Sequence, residues 1–147
     1  GKDYLPVTDK NMTRFWITLE EGVNFVIKSF MRMSGGEIFV PKIPSIRIMD
    51  LARAMKKDIK IKVTGIRPGE KVHELMCPRE YSDFTFDFKD HYVIFSQIHR
   101  SLSKKHYSKN RIGERGKKVS KNFEYSSDKN KDFLTVKKIQ MLNRNLE

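Results

Sequence analysis

The chain of 147 residues contains little cysteine and no long apolar run. Cys77 is its only cysteine, so an internal disulfide cannot form, which agrees with a reducing compartment. No apolar stretch approaches the roughly 20 residues that a membrane-spanning helix needs, and the first residues lack the apolar region of a signal peptide. We therefore expect a cytoplasmic protein that does not enter a membrane. Because the sequence begins with Gly1 and not with Met, we also expect that the chain begins partway through a longer product.

Motifs for binding dinucleotides and metals are also missing. The eight glycines never form the Gly-x-Gly-x-x-Gly pattern of a dinucleotide-binding loop, and Gly113 to Lys118 does not have P-loop spacing. The four histidines have no cysteine partners and no metal-ligand spacing, so we expect each one to pack or to lie at the surface. The sequence therefore predicts no metal site and no cofactor-binding residue in this chain.

Positive charge is abundant and unevenly distributed. The net charge is +12, and residues 96–147 carry 14 Lys and Arg against 5 Asp and Glu, while residues 1–95 carry 16 against 13. Such a basic segment, with Tyr107 and Tyr125 available for stacking, can bind RNA through counterion release. No RNP, KH or helix-turn-helix pattern accompanies the charge, so we favour a solvated arm packed along a larger body. A small basic RNA- or polyanion-binding module is the alternative function.

Hydrophobic periodicity predicts a mixture of helices and strands. Thr18 and Glu21 form a capping box before an apolar stripe, which predicts an amphipathic helix over residues 18–33. The other predicted elements are a buried strand at 37–40, a helix from about Ser45 to Met55, a strand at 59–66, a short helix at 71–76, strands around 84–88 and 91–95, and a last helix from about Thr135 to Asn143.

The stretch Arg67-Pro68-Gly69-Glu70-Lys71, directly after the strand predicted at 59–66, is the most informative part of the sequence. Pro68-Gly69 favours a tight turn, which holds a guanidinium and a carboxylate together. A guanidinium forks onto phosphate or ribose oxygens, and a carboxylate accepts hydrogen bonds from ribose hydroxyls, so the pair suits a nucleotide-sugar. Taken alone, such a turn is also typical of a solvated loop.

Tyr125 and Lys129 have the Tyr-x-x-x-Lys spacing of short-chain dehydrogenases, in which a helix places both side chains on one face. The intervening Ser126, Ser127 and Asp128 favour turns instead. We therefore predict that this pair does not lie on a helix and is not catalytic.

Several further stretches follow one another in a recognisable order. They are Leu5 to Asp9, Met12 to Thr18, Gly35 to Ser45, Gly65 to Glu74, Phe88 to Tyr92, and Phe123 to Ser127 with Asn130, Phe133 and Leu134. Together they resemble the carboxy-terminal half of the inverting UDP-N-acetylglucosamine 4,6-dehydratases, in the polysaccharide-biosynthesis branch of the extended short-chain dehydrogenases. The resemblance covers nearly the whole chain and interprets the basic segment as a long carboxy-terminal arm.

The resemblance implies an α/β fold class, α+β in isolation, made of the substrate-binding lobe and the last sheet strand without the Rossmann core. Residues 1–95 would form that lobe, residues 96–132 the basic arm, and residues 133–147 the C-terminal helix. The strand at 37–40 would be orphaned from its Rossmann neighbour. Because an unpaired apolar edge promotes aggregation, we expect the fragment to be marginally stable, rearranged or held by another chain.

The resemblance also implies a function. Members of the family bind NADP on an amino-terminal Rossmann domain, which carries the catalytic Tyr, Lys and Asp, and they produce a UDP-4-keto-6-deoxy-hexose with inverted carbon 5. None of those catalytic residues can be placed here, so we expect part of an NADP-dependent lyase that is inactive alone. The expected partners are UDP-N-acetylglucosamine and the missing Rossmann half. The resemblance also suggests a homo-oligomer, but it leaves the oligomeric state open. The expected pathways are bacterial surface glycans and flagellin glycosylation, including pseudaminic acid.

Candidate binding residues follow from the family pattern. Arg67 would contact the UDP portion and Glu70 a neighbouring hydroxyl. Arg14 would reach the diphosphate or the sugar pocket, and an ion pair with an acidic neighbour is its alternative. Thr13 and Lys42 complete the set, with a turn cap as the alternative for Thr13 and simple solvation as the alternative for Lys42.

Overall fold

The computed structural model describes residues 4–56, 58–95 and 108–144, which form a mixture of helices and short strands. The elements in chain order are β1 (Tyr4–Val7), β2 (Thr13–Phe15), α1 (Leu19–Arg32), β3 (Ile38–Pro41), β4 (Ser45–Arg47), α2 (Ile48–Met55), β5 (Lys60–Val63), β6 (Leu75–Cys77), a 3-10 helix (Arg79–Phe84), β7 (Thr85–Asp87), β8 (His91–Ile94), β9 (Lys117–Lys118), β10 (Tyr125–Ser126) and α3 (Val136–Arg144).

The chain folds into two compact units. Unit 1 consists of Gly1–Trp16, Ile43–Glu74 and Ser126–Glu147, and unit 2 consists of Ile17–Lys42 and Leu75–Tyr125. Each unit therefore combines separate stretches of the chain.

Unit 1 combines two small sheets with a pair of helices. β1 lies parallel to β5, and β2 lies antiparallel to β4. α2 and α3 pack against each other. Their core contains Ile46, Ala54, Leu134 and Ile139, with Trp16, Ile48, Leu51, Val136 and Leu142 packed around it. Ile139 is completely buried, and the last helix, predicted from about Thr135 to Asn143, is confirmed.

The helix predicted from Ser45 begins three residues later, at Ile48. Ser45 to Arg47 instead form β4, because the backbone of Ser45 is bonded on both sides. Its N–H donates to the Asp132 carbonyl at 2.8 Å, and its carbonyl accepts from the Leu134 N–H at 2.8 Å. These long-range bonds hold Ser45 in an extended conformation.

The short helix predicted at 71–76 is wrong. Three backbone carbonyls in this stretch accept hydrogen bonds from other segments of unit 1: Lys71 from Arg14 Nη2 at 2.8 Å, Val72 from the Thr13 N–H at 3.0 Å, and Glu74 from the Ser127 N–H at 2.8 Å. A helix would need those carbonyls for its own hydrogen bonds, so tertiary bonds override the local preference.

Unit 2 contains a four-stranded antiparallel sheet in the order β3-β8-β7-β9. β7 and β8 confirm the strands predicted around 84–88 and 91–95. A Cβ on Gly116 would lie 2.5 Å from the Phe88 ring, so this position requires glycine. The core of the unit contains Phe86, Phe88, Val93 and Phe95, with Phe39 packed against them.

The strand expected to be orphaned has a neighbour. β3 pairs with β8 along its full length, with Ile38 opposite Ile94 and Pro41 opposite His91. β8 supplies a hydrogen-bonding ladder on one side of β3, and the expectation that β3 lacks a neighbour from the Rossmann half stays a prediction. β3 is still an edge strand of the described sheet, and Ile38 is 59% exposed.

α1 confirms the predicted amphipathic helix and its capping box. The Thr18 hydroxyl accepts from the Glu21 N–H at 3.2 Å, and the Glu21 carboxylate accepts from the Thr18 N–H at 2.9 Å. The apolar side chains are nevertheless exposed. We call the following set the α1 apolar face: Leu19, Val23, Val26, Ile27, Phe30 and Met31. No described residue buries this face.

Arg32, at the end of α1, is buried and paired with two carboxylates. Its Nε donates to Glu114 at 2.8 Å, and its Nη2 donates to the two carboxylate oxygens of Asp90 at 3.1 and 3.0 Å. Asp90 also bonds His91 Nδ1 at 2.7 Å. Burial opposes ionisation, but the bonds from His91 and Arg32 prevail and lower the pKa of Asp90 to about 2. Glu114 belongs to the predicted basic arm, so part of that segment is built into unit 2.

His91 is completely buried, and its ring stacks on Phe88 with 4.8 Å between the ring centres. Burial lowers the pKa of His91, although the hydrogen bond to Asp90 acts in the opposite direction; Arg32 and Glu114 are the other charged groups acting on it. On unfolding, the pKa returns to its ordinary value near 6.5. Below about that pH the unfolded chain binds more protons than the folded chain, so stability is lost as the pH falls.

We expect the free energy of unfolding to fall between about pH 7.5 and pH 5, with a contribution from His91 of at most about 1.4 kcal/mol per pH unit. Urea titrations at several pH values measure this slope. His91→Asn keeps an amide donor near the position of Nδ1 for Asp90 but does not titrate, so its stability should change less over the same range. Equal slopes in the two proteins would contradict the assignment.

Candidate functional site

Arg67 to Glu70 form a tight turn in the loop that follows β5. The Glu70 N–H donates to the Arg67 carbonyl at 3.0 Å, and Gly69 has a φ of +78°, as the third position of a type II turn requires. The Glu70 carboxylate closes the turn a second time, because its Oε2 accepts from the Arg67 N–H at 3.2 Å. The predicted turn is present, and it brings Arg67 and Glu70 together.

The Arg67 side chain is exposed, and no residue in the described ranges bonds its guanidinium. All five of its N–H donors are therefore available to a ligand. Glu70 is half-buried, and its Oε1 accepts from the Thr8 hydroxyl at 3.4 Å. Each Glu70 oxygen thus has one protein partner and one lone pair left for a ligand hydroxyl.

Arg14 anchors the part of the loop that follows the turn. Its Nη1 donates to the carbonyls of Thr13 at 2.7 Å and Val72 at 3.1 Å, and its Nη2 donates to the Lys71 carbonyl at 2.8 Å. Its Nε lies 3.5 Å from the Glu74 carboxylate. The ion pair with an acidic neighbour, predicted as the alternative for Arg14, is therefore present. Most Arg14 donors are committed to protein, and one N–H is left for a ligand.

Thr13 belongs to a hydrogen-bonded chain of side chains that ends at His73. Thr13 Oγ1 lies 2.9 Å from His73 Nδ1 and 2.6 Å from Ser127 Oγ, and Ser127 Oγ accepts from the Glu74 N–H at 2.9 Å. Thr13 is only 5% exposed and Ser127 is completely buried. Thr13 is therefore placed to support His73, three residues beyond Glu70.

Sequence reasoning missed His73 and Ser127 as members of this cluster. Along the chain Thr13 is 60 residues from His73 and 114 from Ser127, so no spacing pattern connects them. The available signal was that both residues lie in stretches that resemble the dehydratases.

The side chains on and around the loop that carries Arg67 have charges of both signs. Asp128 follows Ser127 and accepts a hydrogen bond from the Ser126 hydroxyl at 2.7 Å, which lowers the pKa of its carboxyl group. Arg14 faces Glu74, whereas the Arg67 guanidinium has no carboxylate partner among the described residues. The free positive charge of the turn therefore lies on Arg67.

Lys42, the last sequence candidate, belongs to unit 2. Its Nζ donates to the Asp87 carboxylate and to the Phe88 carbonyl, and it lies 4.8 Å from the centre of the Tyr92 ring. Lys42 is therefore bonded within unit 2 rather than simply solvated.

Tyr125 serves neither of the roles considered for it. It is 7% exposed, and its ring centre lies 5.0 Å from that of Tyr92, so the prediction that it is available to stack on RNA is wrong. Tyr125 and Ser126 form β10, and the chain then turns at 127–129. This confirms that Tyr125 and Lys129 do not share a helix.

The basic segment is only partly described. Lys104, Lys105 and Tyr107 lie outside the described residues. Lys117 and Lys118 form β9 and are exposed, and Lys118 is paired with Asp83 at 2.8 Å. Across the described ranges, no group of His, Cys, Asp and Glu side chains could hold a metal ion, and no helix is both long and apolar enough to cross a membrane.

Comparison with known proteins identifies the family. Residues 1–96 match the polysaccharide biosynthesis protein family. The chain belongs to this family. It is 46% identical over 139 residues to the UDP-N-acetylglucosamine 4,6-dehydratase (inverting) of Campylobacter jejuni serotype O:23/36, a match that covers 95% of this chain and 42% of that relative. The protein of the same name from C. jejuni serotype O:2 is 49% identical over 130 residues, which cover 88% of this chain and 39% of the relative.

A more distant relative and a solved structure are also similar to this chain. The UDP-glucose 4-epimerase of Rickettsia canadensis is 38% identical over 99 residues, covering 64% of this chain and 28% of that relative. The X-ray structure of Pen from Bacillus thuringiensis matches 98% of this chain and 42% of Pen, with a TM-score of 0.75 and 27% identity. The resemblance to the inverting dehydratases and the mixed helix and strand class are confirmed. The chain spans about two fifths of the length of the C. jejuni relatives.

Proposed function

We propose that this chain supplies the nucleotide-sugar-binding part of an inverting UDP-N-acetylglucosamine 4,6-dehydratase. The supporting observation is the exposed Arg67 guanidinium, which no described residue bonds, on a turn closed by Glu70. Arg67 would bind diphosphate oxygens through charge-assisted hydrogen bonds, and Glu70 would accept a hydrogen bond from a hydroxyl group. Because protein bonds already hold the turn, a ligand would find both groups in place and less entropy would be lost on binding.

The residues of this chain do not fit NADP. There is no glycine-rich dinucleotide loop in the sequence, and neither β1 nor β5 leads directly into a helix whose N-terminus could receive a pyrophosphate. Our proposal places NADP, and with it the catalytic Tyr, Lys and Asp, in the remaining part of the full-length protein. On its own the chain would then have no dehydratase activity.

The α1 apolar face supports a full-length protein in which another part packs against this chain. Six exposed apolar side chains on one helix form a contiguous patch of the kind that marks an interaction surface. The matched residues make up 42% and 39% of the two C. jejuni relatives, so each relative is more than twice as long as the matched stretch. We propose that the remaining part of the full-length protein covers the α1 apolar face. A cytoplasmic setting, a homo-oligomer and a role in surface-glycan or pseudaminic acid synthesis belong to the same proposal and rest on the resemblance.

Arg67→Ala is expected to weaken the binding of UDP-N-acetylglucosamine by roughly 10- to 100-fold, because charge-assisted hydrogen bonds contribute about 1.5–3 kcal/mol. Isothermal titration calorimetry on the chain measures this change. Lys71→Ala is the matched control, since it removes an exposed positive charge from the same loop. We expect the control to change the affinity by less than about threefold.

Two results would count against the proposal. Equal affinities of Arg67→Ala and the unsubstituted chain would remove the assigned role of the turn. Binding to RNA that falls steeply with salt, survives Arg67→Ala and is lost when Lys104, Lys105, Lys117 and Lys118 are neutralised would favour the polyanion-binding alternative.

A further inference from the structure

The hydrogen-bonded chain from Ser127 through Thr13 to His73 has a direction that the available donors determine. Ser127 Oγ accepts a hydrogen bond from the Glu74 N–H at 2.9 Å, so its own proton needs a different acceptor. Ser127 is completely buried, and among the described residues its hydroxyl has one other partner, Thr13 Oγ1 at 2.6 Å. A buried hydroxyl proton without an acceptor is unfavourable, so Ser127 donates to Thr13.

Thr13 then has one place left for its own proton. Its hydroxyl oxygen accepts from Ser127, and its second neighbour is His73 Nδ1 at 2.9 Å. Thr13 therefore donates to His73 Nδ1, which must accept and cannot carry a proton. In the neutral ring the proton is then on Nε2, because the two nitrogens of imidazole divide the donor and acceptor roles.

His73 lies on the loop that carries Arg67 and Glu70, and Arg14 and Thr13 bond the backbone of this loop at Lys71 and Val72. The ring is half-buried, and no described residue bonds Nε2. His73 thus has one nitrogen fixed by the protein and the opposite nitrogen available as a donor.

We propose that Thr13 and Ser127 are positioning residues that hold His73 as an Nε2–H donor, which contacts an oxygen of the nucleotide-sugar. The identity of the ligand rests on the proposed function; the direction of the hydrogen-bonded chain does not. Neither Thr13 nor Ser127 touches the ligand, and both act through the histidine ring.

The tautomer is tested by NMR on the chain labelled with ¹⁵N-histidine, in which two-bond couplings show which ring nitrogen carries the proton. We expect Nε2 to be protonated and Nδ1 to be unprotonated in neutral His73. Thr13→Ser keeps the hydroxyl and should keep this tautomer, whereas Thr13→Val removes the hydroxyl and should give a mixture of tautomers. If the unsubstituted chain shows a protonated Nδ1 or a mixture of tautomers in neutral His73, this result alone overturns the proposal.

The ligand contact is tested by titrating the chain with UDP-N-acetylglucosamine. His73→Leu should weaken binding roughly 3- to 10-fold, as expected for one hydrogen bond. His73→Gln places an amide donor near the position of Nε2 and should restore part of the affinity. Thr13→Val should weaken binding by less than His73→Leu, because a mixture of tautomers still contains the Nε2–H form, and Thr13→Ser should leave the affinity unchanged.

The two measurements separate the inference from the proposed function. If the chain binds the ligand through Arg67 but His73→Leu has no effect, the assigned contact is wrong and the proposed function stands. If the chain does not bind UDP-N-acetylglucosamine at all, the proposed function fails, and the NMR result alone decides whether Thr13 and Ser127 hold the tautomer.

Discussion

Replacing Arg32 by methionine is expected to lower the free energy of unfolding by about 3 kcal/mol. The Arg32 side chain is 5% exposed and donates four hydrogen bonds to Asp90 and Glu114. Methionine fills much of the same space but leaves both carboxylates without their cation. Asp90 and Glu114 are 47% and 41% exposed, so water stabilises them in part and the loss lies at the lower end of the range for broken buried pairs.

Urea denaturation followed by circular dichroism at neutral pH measures this loss. Arg53→Met is the matched control, because Arg53 also lies in the last turn of a helix and donates to a carboxylate, Asp50, at 3.0 Å, yet is 57% exposed. We expect the control to change stability by less than about 0.5 kcal/mol. If the two variants lose the same stability, burial of Arg32 is not what makes its ion pairs important.

The sequence indicates the position of Arg32 in a helix but not its partners. Asp90 and Glu114 lie 58 and 82 residues further along the chain, and neither forms a local pattern with Arg32. Helical periodicity likewise marks the apolar stripe of α1, but it does not say which surface covers that stripe.

Elements governed by local chemistry could be predicted, and those governed by distant partners could not. The capping box at Thr18 and the Pro68-Gly69 turn depend on neighbouring residues, and both are present in the structure. The helix predicted at 71–76 has adequate local propensity, but three of its carbonyls are bonded by residues from β2 and from the turn after β10. Those partners become neighbours only when unit 1 has folded.

The candidate site shows the same division. Arg67 and Glu70 could be identified because their spacing on the turn brings them together. Arg14 and Thr13 could be found only by resemblance, and their contacts in the structure give them supporting positions. A ligand-facing role and a supporting role require similar polar side chains, so residue type alone does not separate them.

A chimera is expected to show the largest functional effect. In it, this chain replaces the 139 matching residues of the C. jejuni serotype O:23/36 dehydratase. We expect the chimera to dehydrate UDP-N-acetylglucosamine and this chain alone to give no product, because the catalytic groups are proposed to lie in the part contributed by the relative. Mass spectrometry detects the product as a loss of one water from the nucleotide-sugar.

Arg67→Ala in the chimera should lower kcat/KM roughly 10- to 100-fold, while Lys71→Ala should change it less than about threefold. The α1 apolar face gives an independent check. If the rest of the chimera covers this face as proposed, Phe30→Asn should destabilise the chimera more than it destabilises this chain, in which Phe30 is 65% exposed. A folded chimera with native stability but no activity would contradict the proposed function. Dehydration by this chain alone would instead show that it carries catalytic groups that the proposal places elsewhere.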